Sequence, residues 1–264
     1  MTSPTPVPAP PTSTTPARCY RFGGPPLGNQ RNYVRNPDGT LRLLPTPAGA
    51  DYAEAAAINN RGDAVGHAWF PAERDMRAVY WPAAGGVQRL ADLPDVNSWG
   101  GFAINDSGQV VGLGHTTATA ADRQRALLWD TAAGTVIDLG TLPGMSGAQA
   151  AEVNNAGEVV GGSGRGFLWT PTEGMLDLTS LLDASGQGWQ IHFAHGINNR
   201  GQIAATGLFN DVPLAVLLTP VPEPAALMLL PLAGFLLLRR RHIEGANKRD
   251  GNVPSRSRHL FLPP

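Results

Sequence analysis

Few constellations in this 264-residue chain have the residue types and spacing for chemistry, and each has a structural competitor. Asp106 with Asn105 is the best oxygen pair for Ca²⁺, a cation that takes about six to eight oxygen ligands. Three of the four related turns lack a carboxylate between Asn and Gly, so a purely structural turn is the favoured reading. His192 and His195 stand three apart in an expected strand. Alternation then puts them on opposite faces, without a third ligand to make a zinc site. Trp81, Trp129 and Trp169 recur at one repeat position, which suits packing between repeat units. Trp99 and Trp189 fall in expected connecting loops and are candidates for a binding rim, with extracellular polysaccharide as the candidate ligand. The chain carries no Gly-X-Ser-X-Gly elbow, phosphate loop or convincing carboxylate pair. Gly162-Ser163-Gly164-Arg165-Gly166 is glycine-rich, but neither Lys-Ser/Thr nor a helical pattern follows it. No catalytic residue, metal ligand or cofactor is assigned.

The elements that would hold these residues repeat along the chain. An Ile/Val-Asn-X-X-Gly turn occurs as Asn59 to Gly62, Asn105 to Gly108, Asn154 to Gly157 and Asn198 to Gly201. Asn suits the first turn position because its side chain bonds the backbone ahead, and Gly accepts positive φ without a Cβ penalty. Three copies continue into Ala64-Val65-Gly66, Val110-Val111-Gly112 and Val159-Val160-Gly161, whereas the fourth reads Ile203-Ala204-Ala205. A second element is an apolar run ending in Trp81, Trp129 or Trp169, with Gly five residues later. Asn32-Tyr33-Val34-Arg35 is its variant at the start. Two hairpins per repeat predict an all-β, propeller-like body of four units over 31–219. The units are 32–70, 78–115, 126–163 and 166–209. A lone strand, Leu214 to Leu218, is expected to pair with the first unit and close a ring.

Composition agrees with this body and excludes other classes. The 32 Gly and 24 Pro argue against a protein built on long helices. One cysteine, Cys19, excludes a disulfide framework. The net charge of −1 conceals a basic tail: seven Lys/Arg and two acids in 239–264 give +5 there and −6 elsewhere. A mildly acidic body does not suit nucleic acid. Residues 1–30, rich in Pro and Thr, are expected to be disordered, as is the basic tail 242–264. No export signal is visible in 1–30, which leaves two readings: a signal peptide encoded upstream of Met1, or a decayed gene copy.

Between body and tail lie Pro222-Glu223-Pro224, the charge-free run Ala225 to Leu238, and Arg239-Arg240-Arg241. The run is apolar on every helical face, so a helix in lipid is expected, outside the β body. The three features in this order resemble the PEP-CTERM sorting signal of exported envelope proteins. That resemblance implies recognition of Pro222, Glu223 and Pro224 by an exosortase-type enzyme, and a cytoplasmic stop at Arg239, Arg240 and Arg241. The repeats, with Asp138-Leu139-Gly140-Thr141-Leu142-Pro143-Gly144, resemble the HAF-type extracellular repeat family. Together the resemblances imply an exported, non-enzymatic cell-surface or matrix protein held at the inner membrane before processing. The alternatives are a propeller-type hydrolase or lyase acting outside the cytoplasm, or a decayed gene product.

Overall fold

The computed structural model describes residues 18–22, 31–117, 124–221 and 259–262. Among them the chain is all-β, with no α-helix. Five small sheets follow one another along the sequence, each built by neighbouring strands in chain order. Sheet one holds β1 (Arg18–Phe22), β2 (Arg31–Arg35) and β3 (Leu41–Leu44). Sheet two holds β4 (Tyr52–Ile58), β5 (Ala64–Phe70), β6 (Asp75–Trp81) and β7 (Gln88–Arg89). Sheet three holds β8 (Val96–Ile104), β9 (Gln109–Thr116), β10 (Gln124–Asp130) and β11 (Thr135–Asp138). Sheet four holds β12 (Gln149–Val153), β13 (Val159–Gly162), β14 (Gly166–Thr170) and β15 (Gly174–Asp177). Sheet five holds β16 (Trp189–Ile197), β17 (Ile203–Phe209), β18 (Val212–Pro220) and β19 (His259–Leu262). All pairings are antiparallel except β18 with β19.

Local sequence accounts for the meander. In sheets two to five the Asn-X-X-Gly turn joins the first strand to the second, and Gly62, Gly108, Gly157 and Gly201 take φ of 86°, 85°, 81° and 71°. The tryptophan stands at the end of the third strand or one residue before it, at Trp81, Trp129 and Trp169. Four hydrophobic clusters lie between successive sheets, so the core sits between the layers. The first strand of one sheet crosses the second and third strands of the sheet before it, as β8 does over β5 and β6. Trp81 donates its indole N–H to the carbonyl of Pro45 at 2.8 Å, and Trp129 to that of Ala91 at 2.7 Å, each just past the last strand of the preceding sheet. Both indoles are buried, as the packing role requires.

Several expectations change. The units 32–70, 78–115, 126–163 and 166–209 straddle sheet boundaries: each pairs the end of one sheet with the start of the next. A local hairpin pattern looks the same in either phase, and only ladder pairing separates them. Leu214 to Leu218 is not a strand that joins the first unit; it lies in β18, paired with β17. Residues 1–30 include a strand, β1, and the tail 242–264 includes β19. The Gly162 to Gly166 stretch joins β13 to β14 within one sheet. The sorting motif Pro222, Glu223 and Pro224, the expected helix Ala225 to Leu238 and the Arg239, Arg240 and Arg241 cluster lie outside the described residues. Among those described, no helix is long and apolar enough to cross a membrane.

Candidate active site on the first strands of the sheets

The repeat asparagines hold neighbouring sheets together at one end. Asn59 Nδ2 donates to the carbonyl of Asn105 at 3.0 Å, Asn105 to Asn154 at 2.9 Å, and Asn154 to Asn198 at 3.3 Å. Each Oδ1 accepts the backbone N–H groups two and four residues ahead, as Asn105 does from Ser107 and Gln109. Each amide also reaches a side chain four residues on: Asp63, Gln109, Glu158 or Gln202. That fifth position completes the motif, a regularity the sequence already contained. Asn59, Asn105 and Asn154 are buried, whereas Asn198 at the end of the ladder is exposed.

Asp106 belongs to the same lattice. Its carboxylate accepts from Asn60 N at 2.9 Å, Asn60 Nδ2 at 2.8 Å and Asn155 Nδ2 at 3.0 Å. Amide donors fill the oxygens that a calcium ion would need. The hydrogen bonds from Asn155 and Asn60 hold its pKa below the ordinary 3.8. A carboxylate with a depressed folded-state pKa contributes stability above its unfolded pKa and loses it as pH falls through the folded one. Asp106→Asn is therefore expected to flatten the decline of the melting temperature below about pH 3.8. Melts across that range check this; an unchanged slope would leave Asp106 outside the lattice.

At a fixed distance from the ladder, the first strand of each of sheets two to five breaks its own register. The pairing shifts between Ala55 and Ala57, Gly101 and Ala103, Ala150 and Glu152, and Ala194 and Gly196. The extra residues are Ala56, Phe102, Ala151 and His195, each three before its asparagine. β8 and β16 have a second shift, between Ser98 and Gly100 and between Ile191 and Phe193, at Trp99 and His192. A bulge leaves its extra residue out of the ladder and re-aims side chains. The carbonyl two residues before a bulge also presses on the second strand. A Cβ on Gly66, Gly112, Gly161 or Gly207 would overlap the carbonyl of Glu54, Gly100, Gln149 or Gln190. The close-approach glycine of sheet five has thus moved two residues along, to Gly207, which is why the fourth copy reads Ile203-Ala204-Ala205.

Chemistry-bearing side chains collect on these strands. His192 and His195 are both exposed while Ile191 and Ala194 are buried, so the expectation of opposite faces fails: two bulges cancel the alternation. His195 Nε2 lies 3.0 Å from Thr206 Oγ1, and its ring lies 4.9 Å from that of Phe193. Trp99 stacks on His67 at 5.8 Å and meets Phe102 and His115 edge-on at 6.3 and 6.0 Å. Trp99 and Trp189 are strand residues rather than loop residues; Trp99 is half-buried and Trp189 is buried. Burial holds the His67 imidazole below its ordinary pKa, against an opposing pull from Glu54, whose carboxylate is 4.0 Å away. Glu152 follows the bulge of β12, and burial pushes its carboxyl pKa up. Sequence reasoning missed Glu152, Phe102 and the aromatic role of Trp99. A usable signal was present: only the second strands of sheets three and five carry Gly nine residues after the repeat Asn, at Gly114 and Gly207, and only those sheets have the second bulge. Among the described residues, no group of three or more His, Cys, Asp and Glu gathers as a metal cluster.

No family model matches the chain, and neither does any curated protein. Solved structures do. The chain is similar to a putative TolB from Agrobacterium tumefaciens, with 11% identity, 72% of this chain and 70% of that one covered, and a TM-score of 0.49. TolB from Acinetobacter baumannii gives 13% identity, 70% and 49% coverage and a TM-score of 0.38, so this chain spans about half of that protein. A gluconolactonase from Xanthomonas campestris, described as important in glucose secondary metabolic pathways, gives 16% identity, 70% and 64% coverage and a TM-score of 0.39. These likenesses correct the expectation of a non-enzymatic surface or matrix protein.

Proposed function

We propose that this chain is a β-propeller-type hydrolase acting outside the cytoplasm, with its site on the bulged first strands. Five consecutive meander sheets packed face to face support the propeller. The observation that carries the enzymatic reading is the double bulge of β16, which exposes His192 and His195 beside a strand bearing Glu152. His195 is the general base: an exposed imidazole nitrogen can accept a proton from water, and the ring is oriented by Thr206. It takes a proton from water as the water oxygen attacks an ester or lactone carbonyl. Glu152, whose raised pKa favours the protonated form, returns a proton to the departing alkoxide oxygen. Trp99 and Phe102 offer aromatic surface to a neutral ring substrate such as a sugar-derived lactone.

His195→Ala is expected to lower kcat for lactone or aryl ester hydrolysis by about 10²-fold or more, with thermal stability retained. Glu152→Gln is expected to remove the alkaline limb of the kcat profile. Equal turnover by the parent and His195→Ala would end this assignment.

We further propose that 221–241 acts as a sorting segment processed by an exosortase-type enzyme at an envelope membrane. The order of Pro222-Glu223-Pro224, the apolar run and Arg239-Arg240-Arg241 supports it. Replacing the Pro-Glu-Pro triplet by alanines should abolish processing in an exosortase-bearing host, read as the mass of the mature chain.

A further inference from the structure

Sheet five lacks the tryptophan that stands at the end of the third strand, or one residue before it, in sheets two, three and four. Trp81 pairs with Ala64, Trp129 with Val110 and Trp169 with Val159; at the same place Leu218 pairs with Ile203. Leu218 has neither the bulk of an indole nor an N–H to send to the preceding sheet. Between sheets four and five lies a cleft of about 710 Å³. Leu168, Leu181, Ile197, Ile203 and Pro220 form apolar walls, and Arg200 is among its polar lining residues. Tyr80 and Leu128, which precede Trp81 and Trp129 as Leu168 precedes Trp169, are buried at 8% and 7% exposure, whereas Leu168 is half-buried. At this interface Leu168 is left half-buried as a cleft wall, while Leu218 stays fully buried in the core cluster.

We propose that this cleft is the docking site of the chain's own apolar segment, 225–238, whenever that segment is not in a membrane. Position supports it. Pro220 is a wall of the cleft, Val221 is the last described residue before the segment, and Ala225 follows four residues later. Four extended residues reach at most about 14 Å, so the segment starts beside the cleft. Chemistry supports it as well: Ala225 to Leu238 has no charge, and apolar residues surround it at helical spacing. Water penalises such a surface, and an apolar cleft at the segment's own root relieves that penalty without a partner.

The test uses the full chain in detergent-free buffer, with Cys19→Ser as background. Thr172→Cys at the cleft and Leu227→Cys in the segment are joined by a short bismaleimide and mapped by mass spectrometry. The expected result is a cross-link within one chain. A link only between chains would make a second copy the occupant and overturn the proposal; so would no link in a chain that melts like the parent. Should this pair fail to fold, Glu173→Cys with Leu230→Cys asks the same question. As an independent readout, Leu229→Asp with Leu230→Asp should raise binding of anilinonaphthalene sulfonate several-fold by uncovering the cleft. Equal dye binding by parent and aspartate variant would overturn the proposal.

Discussion

Gly112→Ala is expected to destabilise the chain by about 4 kcal/mol or more, at the upper end of single substitutions. The added Cβ would overlap the carbonyl oxygen of Gly100, with the Gly100 carbonyl carbon at 3.0 Å and the Gly101 Cα at 3.1 Å. All three atoms are backbone, and they lie between the two bulges of β8. A side chain could rotate away, but this backbone moves only if β8 separates from β9. That separation would disturb both interfaces of sheet three, because Ala103 and Ile104 of β8 belong to different hydrophobic clusters. A chain of this size loses about 2–4 °C of melting temperature per kcal/mol, so a drop on the order of 10 °C is expected. Gly134→Ala is the control. Gly134 has φ of 66°, and a methyl added there would meet nothing within 4 Å. It tests backbone strain without overlap and should cost about 1 kcal/mol. Thermal melts of the two variants decide the matter. Similar losses would mean that the Gly100 carbonyl gives way to a Cβ, and that the overlap does not explain the repeat glycines.

Asn105→Ala is expected to cost about 3 kcal/mol, and Asn198→Ala about 1 kcal/mol. Asn105 is 3% exposed and its side chain makes four hydrogen bonds: it accepts from Ser107 and Gln109 and donates to Gln109 and Asn154. Truncation leaves buried partners unpaired, and an unpaired buried group costs about 1–3 kcal/mol. Water can replace part of this at Ser107, which is exposed, but not at the carbonyl of Asn154 within the ladder. Asn198 makes the same local turn contacts, yet it is exposed and ends the ladder. The difference between the two variants therefore measures what joins one sheet to the next. Urea unfolding should show a lower midpoint for Asn105→Ala at unchanged slope. Equal costs would reduce the asparagines to independent turn residues.

Much of this architecture was legible one hairpin at a time. Asn-X-X-Gly announces a turn because Asn can bond the backbone ahead and Gly can take positive φ, and both are properties of a few adjacent residues. Trp81 and Trp129 were readable as packing residues from recurrence alone. The phase of the repeat was not readable, since a hairpin is compatible with either neighbour until strands pair. His192 and His195 show the same limit for the site. Strand alternation is a sound rule only where register is unbroken, and two bulges three residues apart bring both imidazoles to the exposed side. Asp106 shows it for electrostatics: a carboxylate in a turn looks like a cation ligand until neighbouring turns fill its oxygens with amide protons.

Sequence alone therefore determined the class of the protein, all-β with a repeated turn and a repeated aromatic strand end, because those signals reside in contacts a few residues apart. It also marked Gly66, Gly112 and Gly161 as repeat positions, but not the carbonyl overlap that makes them irreplaceable. Only the tertiary structure decided which strands share a sheet, that Asn59, Asn105, Asn154 and Asn198 form one line, and that Trp99, Phe102, His192 and His195 leave their ladders. Those outcomes depend on atoms far apart in sequence, such as the 46 residues between Asn59 and Asn105. The physical reason is that ladder register and side-chain direction are set by a partner strand or a neighbouring sheet. Leu218 is the plainest case: in sequence it is one more leucine in an apolar strand, and in the fold it stands where three sheets have tryptophan.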